Sequence, residues 1–507
     1  MGRRIRWMGI ILTLCFGALV LQLVNIQAVK APALRSSPNN PRIIDLAKHN
    51  RRGVIYADDG TTMLAQSVKA AGGSNDDTRV YPGGALYSQV VGFDSTYEGT
   101  AGVEYEYNAA LSLHPHDAQN LSQALGLSPV VETTNSVVLT IDPTLQKAAQ
   151  TALSQLTGSN TDAAIVAIAP KTGAVLADYS SPSFDPAPLE APNTEAGTKE
   201  QELAALAYFK TKDHEGFYPG LPIATGETFF PGSTFKVVTA SAVFNLDPSL
   251  VDFSFPPAGS TTFPNSDKVM TNDGGQVCGG TMADDMFATS CDPGFGQLGV
   301  KLTAPTLIQQ AQLFGYNDRP PIDLPDAWVA TPTIPAASTL TPPNQEQLAD
   351  SAIGQLDDQA SALSNALVAA GIADGGTIMT PHVMAQIIDS DGAVVSTYKP
   401  KVWKQAVSPG AAAQVTALMK TVVTNPQGTA AGVGFPASLD AAVKTGTAQT
   451  GNPQANTDDW MIGFAPADNP QIAVAVVVPL QHQEDNGAGV AGPIMKAMLE
   501  AALPTQP

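Results

Sequence analysis

Arg3, Arg4 and Arg6 give way to an apolar run from Trp7 to Val24. Positive charge ahead of such a run predicts a cytoplasmic N-terminus with the remainder exported. The run is long for a signal-peptide core and just long enough to span a bilayer. Ala31-Pro-Ala33 places proline inside the nearest small-residue cleavage pattern. The pattern therefore predicts a tail over 1–6 and an uncleaved membrane helix over 7–29, with a cleaved signal as the alternative. Cys15 lies within the run and lacks the small-residue setting of a lipoprotein cysteine.

Residues 30–136 are polar and Gly-rich, with short strand-like pieces such as Arg52-Gly-Val-Ile-Tyr56. Val137-Val-Leu-Thr-Ile141 opens a second exported unit, 137–507, and Pro143 to Leu153 carries helical periodicity. Ala163–Ala169, Lys171-Thr-Gly173 and Ala174–Tyr179 read as strand, tight turn, strand. Segments 184–228 and 318–346, rich in Pro and Thr, predict long surface loops. Gln471–Val478 reads as a strand and Gly492–Leu503 as a helix.

At 507 residues the chain is long enough for two or three domains. Its formal net charge of −20 argues against a nucleic-acid role, because phosphate binding needs a basic surface. The six histidines show no metal-ligand spacing, and His114, His116, His382 and His482 read as loop or structural residues. Cys278 and Cys291 lie in the exported part, where a disulfide can form; two free thiols are the alternative.

The densest chemistry lies in Phe230-Pro-Gly-Ser-Thr-Phe-Lys236. Pro231 and Gly232 break the preceding segment, and apolar residues then recur as on a buried helix. Ser233 thus falls near a helix N-terminus, which favours developing negative charge, and Lys236 follows one turn later on the same face. A desolvated lysine can take the proton of a serine hydroxyl, so covalent acyl transfer is the indicated chemistry. Ser396-Thr-Tyr-Lys399 repeats the spacing, but on a predicted strand, where positions three apart face opposite sides.

Lys444-Thr-Gly-Thr447 follows an apolar stretch and alternates like an edge strand. Such a strand can pair with an extended peptide, and Gly446 would let a ligand backbone approach. Lys444, Thr445 and Thr447 would then supply donors to a substrate carboxylate. The other Lys-Thr-Gly, at Lys171, sits in a hairpin turn with a solvated lysine. Gly294-Phe-Gly-Gln-Leu-Gly299 spells a dinucleotide fingerprint, but follows Cys-Asp-Pro rather than a strand.

The order Ser233-x-x-Lys236, Ser290-x-Asp292, Lys444-Thr-Gly446 resembles the three active-site motifs of penicillin-binding proteins and serine β-lactamases. Arg52-Gly-Val-Ile-Tyr-Ala-Asp-Asp-Gly60, Gly92-Phe93, Gly102-Val-Glu104, Thr140–Gln146, Gly354-Gln355, Gly428-Thr-Ala430 and Trp460–Phe464 are similar to further landmarks of the class B group. The short actinobacterial members without C-terminal repeats are the most similar subgroup.

The resemblance implies an α+β fold: a penicillin-binding/serine β-lactamase-like transpeptidase fold, with an antiparallel sheet flanked by helices. To this it adds an elongated, mostly-β N-terminal pedestal domain over 30–136 and one transmembrane helix. It implies that Ser233 attacks the penultimate D-alanine carbonyl of a peptidoglycan stem peptide. By the same resemblance Lys236 would take the serine proton, Ser290 would relay a proton to the leaving group and Lys444 would tune that relay. Thr445 and Thr447 would bind the terminal carboxylate, and the backbone N–H groups of Ser233 and Thr447 would form the oxyanion hole. No metal or organic cofactor is implied. The implied partners are stem peptides on lipid-linked glycan strands, β-lactams, a SEDS-family glycosyltransferase, and division or elongation proteins. Hydrolysis, as a D,D-carboxypeptidase or β-lactamase, and a scaffold with lapsed catalysis are the rival readings. Asp292 departs from the family's usual asparagine. An ionised carboxylate only accepts hydrogen bonds, and beside Lys236 it would raise that amine's pKa and make it a worse base. Neutralisation mainly by Lys444 would instead leave Lys236 free.

Overall fold

Ala163–Ile168 (β5) and Val175–Ser181 (β6) form the expected hairpin, and Ala442–Asn452 (β9), Ala455–Ala465 (β10) and Ile472–Gln481 (β11) complete an antiparallel sheet. Its order is β6-β5-β11-β10-β9, so the Lys444 strand lies at an edge. The computed structural model describes residues 2–24, 51–69, 77–95, 98–115, 132–156, 161–190, 204, 206–212, 216–264, 266–341, 345–452, 455–482 and 485–503.

Helices cover both faces of this sheet. Pro143–Leu153 (α2) and Gly487–Ala502 (α7) pack together, with α7 against β10 and β11; Ala362–Ala373 (α5) packs against β5, β10 and β11. Described residues of β5 and β11 are buried almost throughout, and so is α5, as expected for a strand or helix covered on every side. The helix starts follow local chemistry. Asp142 accepts from Thr144 N and Leu145 N ahead of Pro143, and Ser361 forms a capping box with Ser364. The last helix begins at Gly487, earlier than the apolar pattern predicts, because Asn486 caps it by accepting from Gly489 N. A Gly-rich first turn hides that start from a periodicity reading.

The segments predicted as surface loops are anchored inward. Ile322, Leu324, Trp328, Ile334 and Leu340 are buried in one, and Phe184, Phe217 and Ile223 in the other. Pro and Thr composition marks irregular backbone but not exposure. The Lys171 turn is as expected, with Lys171 Nζ exposed and donating to Asn469 Oδ1. Val394–Thr397 (β8) is a strand, so Ser396 and Lys399 are not a catalytic pair. His382 is buried and stacks on Tyr398, and His114 pairs in a two-residue strand; His116 lies outside the described residues.

A second sheet joins the N-terminal region to the rest. Ile55–Tyr56 (β1), Met63–Lys69 (β2), Asp77–Val80 (β3) and Ser136–Leu139 (β4) combine with Met384–Ile388 (β7) and β8 in the order β8-β7-β4-β1-β2-β3. Strand β4 pairs in parallel with β1 and antiparallel with β7. Short helices at Ser88–Val91, Gly102–Glu106 and Asn108–Leu111 accompany these strands, making the described N-terminal part mixed rather than mostly β.

At the start of the chain, Gly2–Val24 (α1) is helical, with Trp7, Leu12, Leu14, Phe16 and Leu19 exposed. Among the described residues no helix is long and apolar enough to cross a membrane. Residues 25–29 of the expected anchor lie outside the described residues.

Asp178, on β6, is buried with neither carboxylate oxygen hydrogen-bonded, and burial pushes its pKa up to about 7. The folded chain therefore holds a proton that the unfolded chain releases near pH 4. This contribution is complete below that value and is lost as pH rises to about 7. Melting temperature is expected to fall across this window, and Asp178→Asn to flatten the slope in a pH series of thermal melts. An equal slope in the variant would remove Asp178 as its source.

Candidate active site

Gly232–Phe235 forms a 3₁₀ turn that runs directly into the buried helix Lys236–Leu246 (α3). Pro231 and Gly232 set the turn. Gly232 has φ +51°, and a Cβ there would lie 2.9 Å from the Ala448 side chain. Gly354, at φ +77°, comes so close to the Gly232 carbonyl that a Cβ would sit 2.1 Å away. Trp460 Nε1 donates to Phe230 O at 2.9 Å, pinning the approach to the turn. These contacts give the Gly354-Gln355 and Trp460 landmarks a physical role: they hold the serine turn against the sheet.

Lys236 is fully buried, and its Nζ lies 2.9 Å from Ser233 Oγ, 3.1 Å from Ser290 Oγ, 2.7 Å from Ser290 O and 2.5 Å from Asp292 Oδ1. Lys444, also buried, donates to Ser290 Oγ at 2.8 Å and to Thr445 O at 2.9 Å. Ser290 thus bridges the two amines. It is held at φ +57°, a conformation a serine adopts only when its surroundings impose it. Asp292 begins helix Asp292–Leu302 (α4), and its N–H donates to Asn272 Oδ1 at 3.0 Å.

Burial pulls the Lys236 amine below its ordinary pKa, against the opposing charge and hydrogen bond of Asp292. Lys444 is pulled well below, first by burial and then by the charge of Lys236. Phe295 lies under Lys236 and Phe287 near Lys444, with the amines 5.5 and 5.9 Å from the ring centroids. A buried amine with a lowered pKa beside a serine hydroxyl is what general-base activation calls for.

The structure corrects one expectation about charge. Asp292 is paired with Lys236, not neutralised mainly by Lys444. Gly446 also differs from its expected use. A Cβ there would meet Thr234 Cγ2 at 2.9 Å and Pro231 O at 3.0 Å, so the close approach it permits is that of the chain's own serine turn. Thr447 accepts from Gly487 N at 3.1 Å and lines the cleft, whereas Thr445 is buried with its hydroxyl 2.7 Å from Thr429 Oγ1. Ser233 and Asp292 open onto a cleft of about 410 Å³, within the usual range for a ligand site, lined also by Asn272, Gln355 and Gln449. Asn272 had no motif to mark it, and Thr429 was visible only as part of Gly428-Thr-Ala430.

Cys278 and Cys291 are disulfide-bonded, so the middle residue of Ser290-Cys291-Asp292 is tied to strand Cys278–Thr281. The sequence separation is 13, for which loop-closure entropy gives about 3 kcal/mol. The double variant Cys278→Ala/Cys291→Ala is expected to lose that much in urea denaturation; an unchanged midpoint and slope would show the bond contributes nothing. The Gly294–Gly299 stretch lies inside α4. A Cβ at Gly299 would meet Ala352 Cβ at 2.2 Å, so close helix packing accounts for this glycine without a nucleotide. Among the described residues no His, Cys, Asp and Glu side chains group as a metal site.

The site is therefore one for covalent acyl transfer through a serine, built where a buried helix meets the edge of an antiparallel sheet. Residues 163–500 match the family model described as penicillin binding protein transpeptidase domain, and residues 52–135 match the penicillin binding protein A dimerisation domain. The chain is 34% identical to the peptidoglycan D,D-transpeptidase PbpA of Mycolicibacterium smegmatis, covering 96% of both chains. It has the same identity and coverage with PbpA of Mycobacterium tuberculosis strain H37Rv. The crystal structure of PBPA from M. tuberculosis superposes with a TM-score of 0.75 at 32% identity, over 89% of this chain and 99% of that one. Its penicillin G acyl-enzyme complex also gives 0.75, at 31% identity, over 89% and 99%. The chain belongs to the penicillin-binding protein transpeptidase family, with PbpA proteins among its relatives.

Proposed function

We propose that this protein is a serine-type peptidoglycan D,D-transpeptidase that β-lactams acylate at Ser233. The observation that carries this reading is the unbroken chain of contacts Ser233 Oγ–Lys236 Nζ–Ser290 Oγ–Lys444 Nζ, at 2.9, 3.1 and 2.8 Å. Ser233 attacks the carbonyl of the penultimate D-alanine of a stem peptide as Lys236 takes its proton. Ser290 passes a proton to the leaving D-alanine, and Lys444 steadies that hydroxyl. The N–H groups of Ser233 and Thr447 receive the oxyanion, a contribution of roughly 3–4 kcal/mol per donor. Thr447 still has its hydroxyl proton to offer a substrate carboxylate, with Thr445 and Thr429 beside it. An amine from a second stem peptide then displaces Ser233 and forms the cross-link.

The wider setting belongs to the same proposal. Residues 137–507 act as the transpeptidase unit and 30–136 as an elongated pedestal, supported by the family models that match within them. The apolar run behind Arg3, Arg4 and Arg6 supports an N-terminal anchor over 7–29, a short cytoplasmic tail and an extracytoplasmic catalytic unit. The family resemblance supports work beside a SEDS-family glycosyltransferase in division or elongation.

The test supplies the full-length protein with a synthetic stem pentapeptide and an acceptor amine and follows products by mass spectrometry. The expected product is joined to the amine with one D-alanine released. Release of D-alanine without joining would favour a carboxypeptidase, and sustained nitrocefin turnover a β-lactamase.

A further inference from the structure

The second motif, Ser290-x-Asp292, carries a carboxylate where the family resemblance implies an amide, and the surroundings of Lys236 make that difference chemical. Asp292 Oδ1 at 2.5 Å and Ser290 O at 2.7 Å can only accept hydrogen bonds from the amine while Asp292 is ionised. Between them they occupy both N–H groups of a neutral lysine. Its lone pair is left for the hydroxyls, and Ser233 Oγ lies at 2.9 Å. After proton transfer the same geometry places the new ammonium against the carboxylate, with a third hydrogen available to the two serines.

We propose that Ser233, Lys236 and Asp292 act as a nucleophile, base and counter-charge. Asp292 is the positioning residue: it aims the Lys236 lone pair and supplies the negative charge that holds the ammonium formed during acylation. This rests on the acyl-transfer reading above and adds a role for one charge within it. In the step itself, the Ser233 O–H bond breaks and its proton moves to Lys236, while Oγ bonds to the carbonyl carbon. The C–N bond then breaks with its electron pair on nitrogen. That nitrogen takes the Ser290 hydroxyl proton, and Ser290 recovers one from Lys236. Asp292 gains and loses no proton.

The charged groups facing Lys236 are Asp292 from α4, Lys444 from β9, through Ser290, and Asp273 from the turn at Asp273–Gly275. Burial lowers the amine's pKa, and among the opposing influences the charge of Asp292 is the largest. Removing that charge lets Lys236 lose its proton at lower pH but leaves it a weaker base.

The experiment measures the rate of covalent labelling of the full-length protein by a fluorescent penicillin between about pH 5 and 10. Asp292→Asn is expected to move the acid limb down by about one pH unit or more, and to lower the high-pH plateau about tenfold. Asp292→Glu should bring the limb back towards wild type, a rescue that a purely structural role would not produce. An acid limb unmoved in Asp292→Asn, or moved upward, would overturn the proposal. If a melt shows that variant unfolded, Asp292→Ser is read with and without added formate, and a limb that formate fails to raise has the same force. Wild-type protein that takes no label at Ser233 would instead sink the acyl-transfer reading itself.

Discussion

Ser233→Ala abolishes covalent labelling by a fluorescent penicillin while leaving the melting temperature nearly unchanged. The serine side chain borders the cleft, and its hydroxyl lies 2.9 Å from Lys236 Nζ, so its loss removes little packing. It removes the only atom of the arrangement placed to form the acyl bond. Lys236→Ala is expected to slow labelling by about 10²–10⁴-fold, the range for a lost general base. The two losses do not add, because the base has no function without its nucleophile. Intact-protein mass spectrometry after penicillin treatment decides the matter. A penicilloyl adduct on Ser233→Ala would place the nucleophile elsewhere.

The second large effect lies far from the chemistry. Glu104 is fully buried between Arg52, which donates to Oε2 at 2.8 Å, and Arg79, which donates to Oε1 at 2.6 Å. Arg79 also donates to Gly53 O at 2.7 Å, so the cluster ties the start of the described N-terminal region to its middle. Burial works against the Glu104 charge, but the two guanidinium groups outweigh it and hold its pKa below the ordinary carboxylate value. A lowered folded-state pKa means that this stabilisation is present above the unfolded value and is lost on acidification through the folded one. Glu104→Ala removes the carboxylate that two buried guanidinium groups share, although Asp94 remains 3.3 Å from Arg52. The expected cost is about 3–5 kcal/mol, read as a lower urea midpoint. Penicillin labelling of the surviving folded fraction should persist. A loss below about 1 kcal/mol would show that the cluster is not a structural tie.

Much of the site was legible before the fold. Ser233 and Lys236 are joined by helix spacing, and Lys171 and Ser396 could be set aside by turn and strand spacing, because these are short-range regularities. The edge position of Lys444 and the hairpin at Lys171 followed from alternation. Apolar content without regular period was harder to read. Irregular backbone around Trp328 and Ile334 enters the core although its Pro and Thr suggest surface, and the start of α7 is hidden by glycines that lack a side chain to carry a pattern.

The sequence by itself determined the order of the three motifs, the helical placement of Ser233 and Lys236, and the family they indicate. Tertiary structure alone decided that Asp292 faces Lys236 rather than Lys444, that Ser290 bridges both amines, and that Gly446 makes room for the serine turn. The reason is range. Ser233 and Lys236 are 3 residues apart, whereas Lys236 meets Asp292 across 56 positions and Lys444 meets Ser290 across 154. Local periodicity carries no information over such spans; the packing of α3 and α4 and the edge of the sheet does.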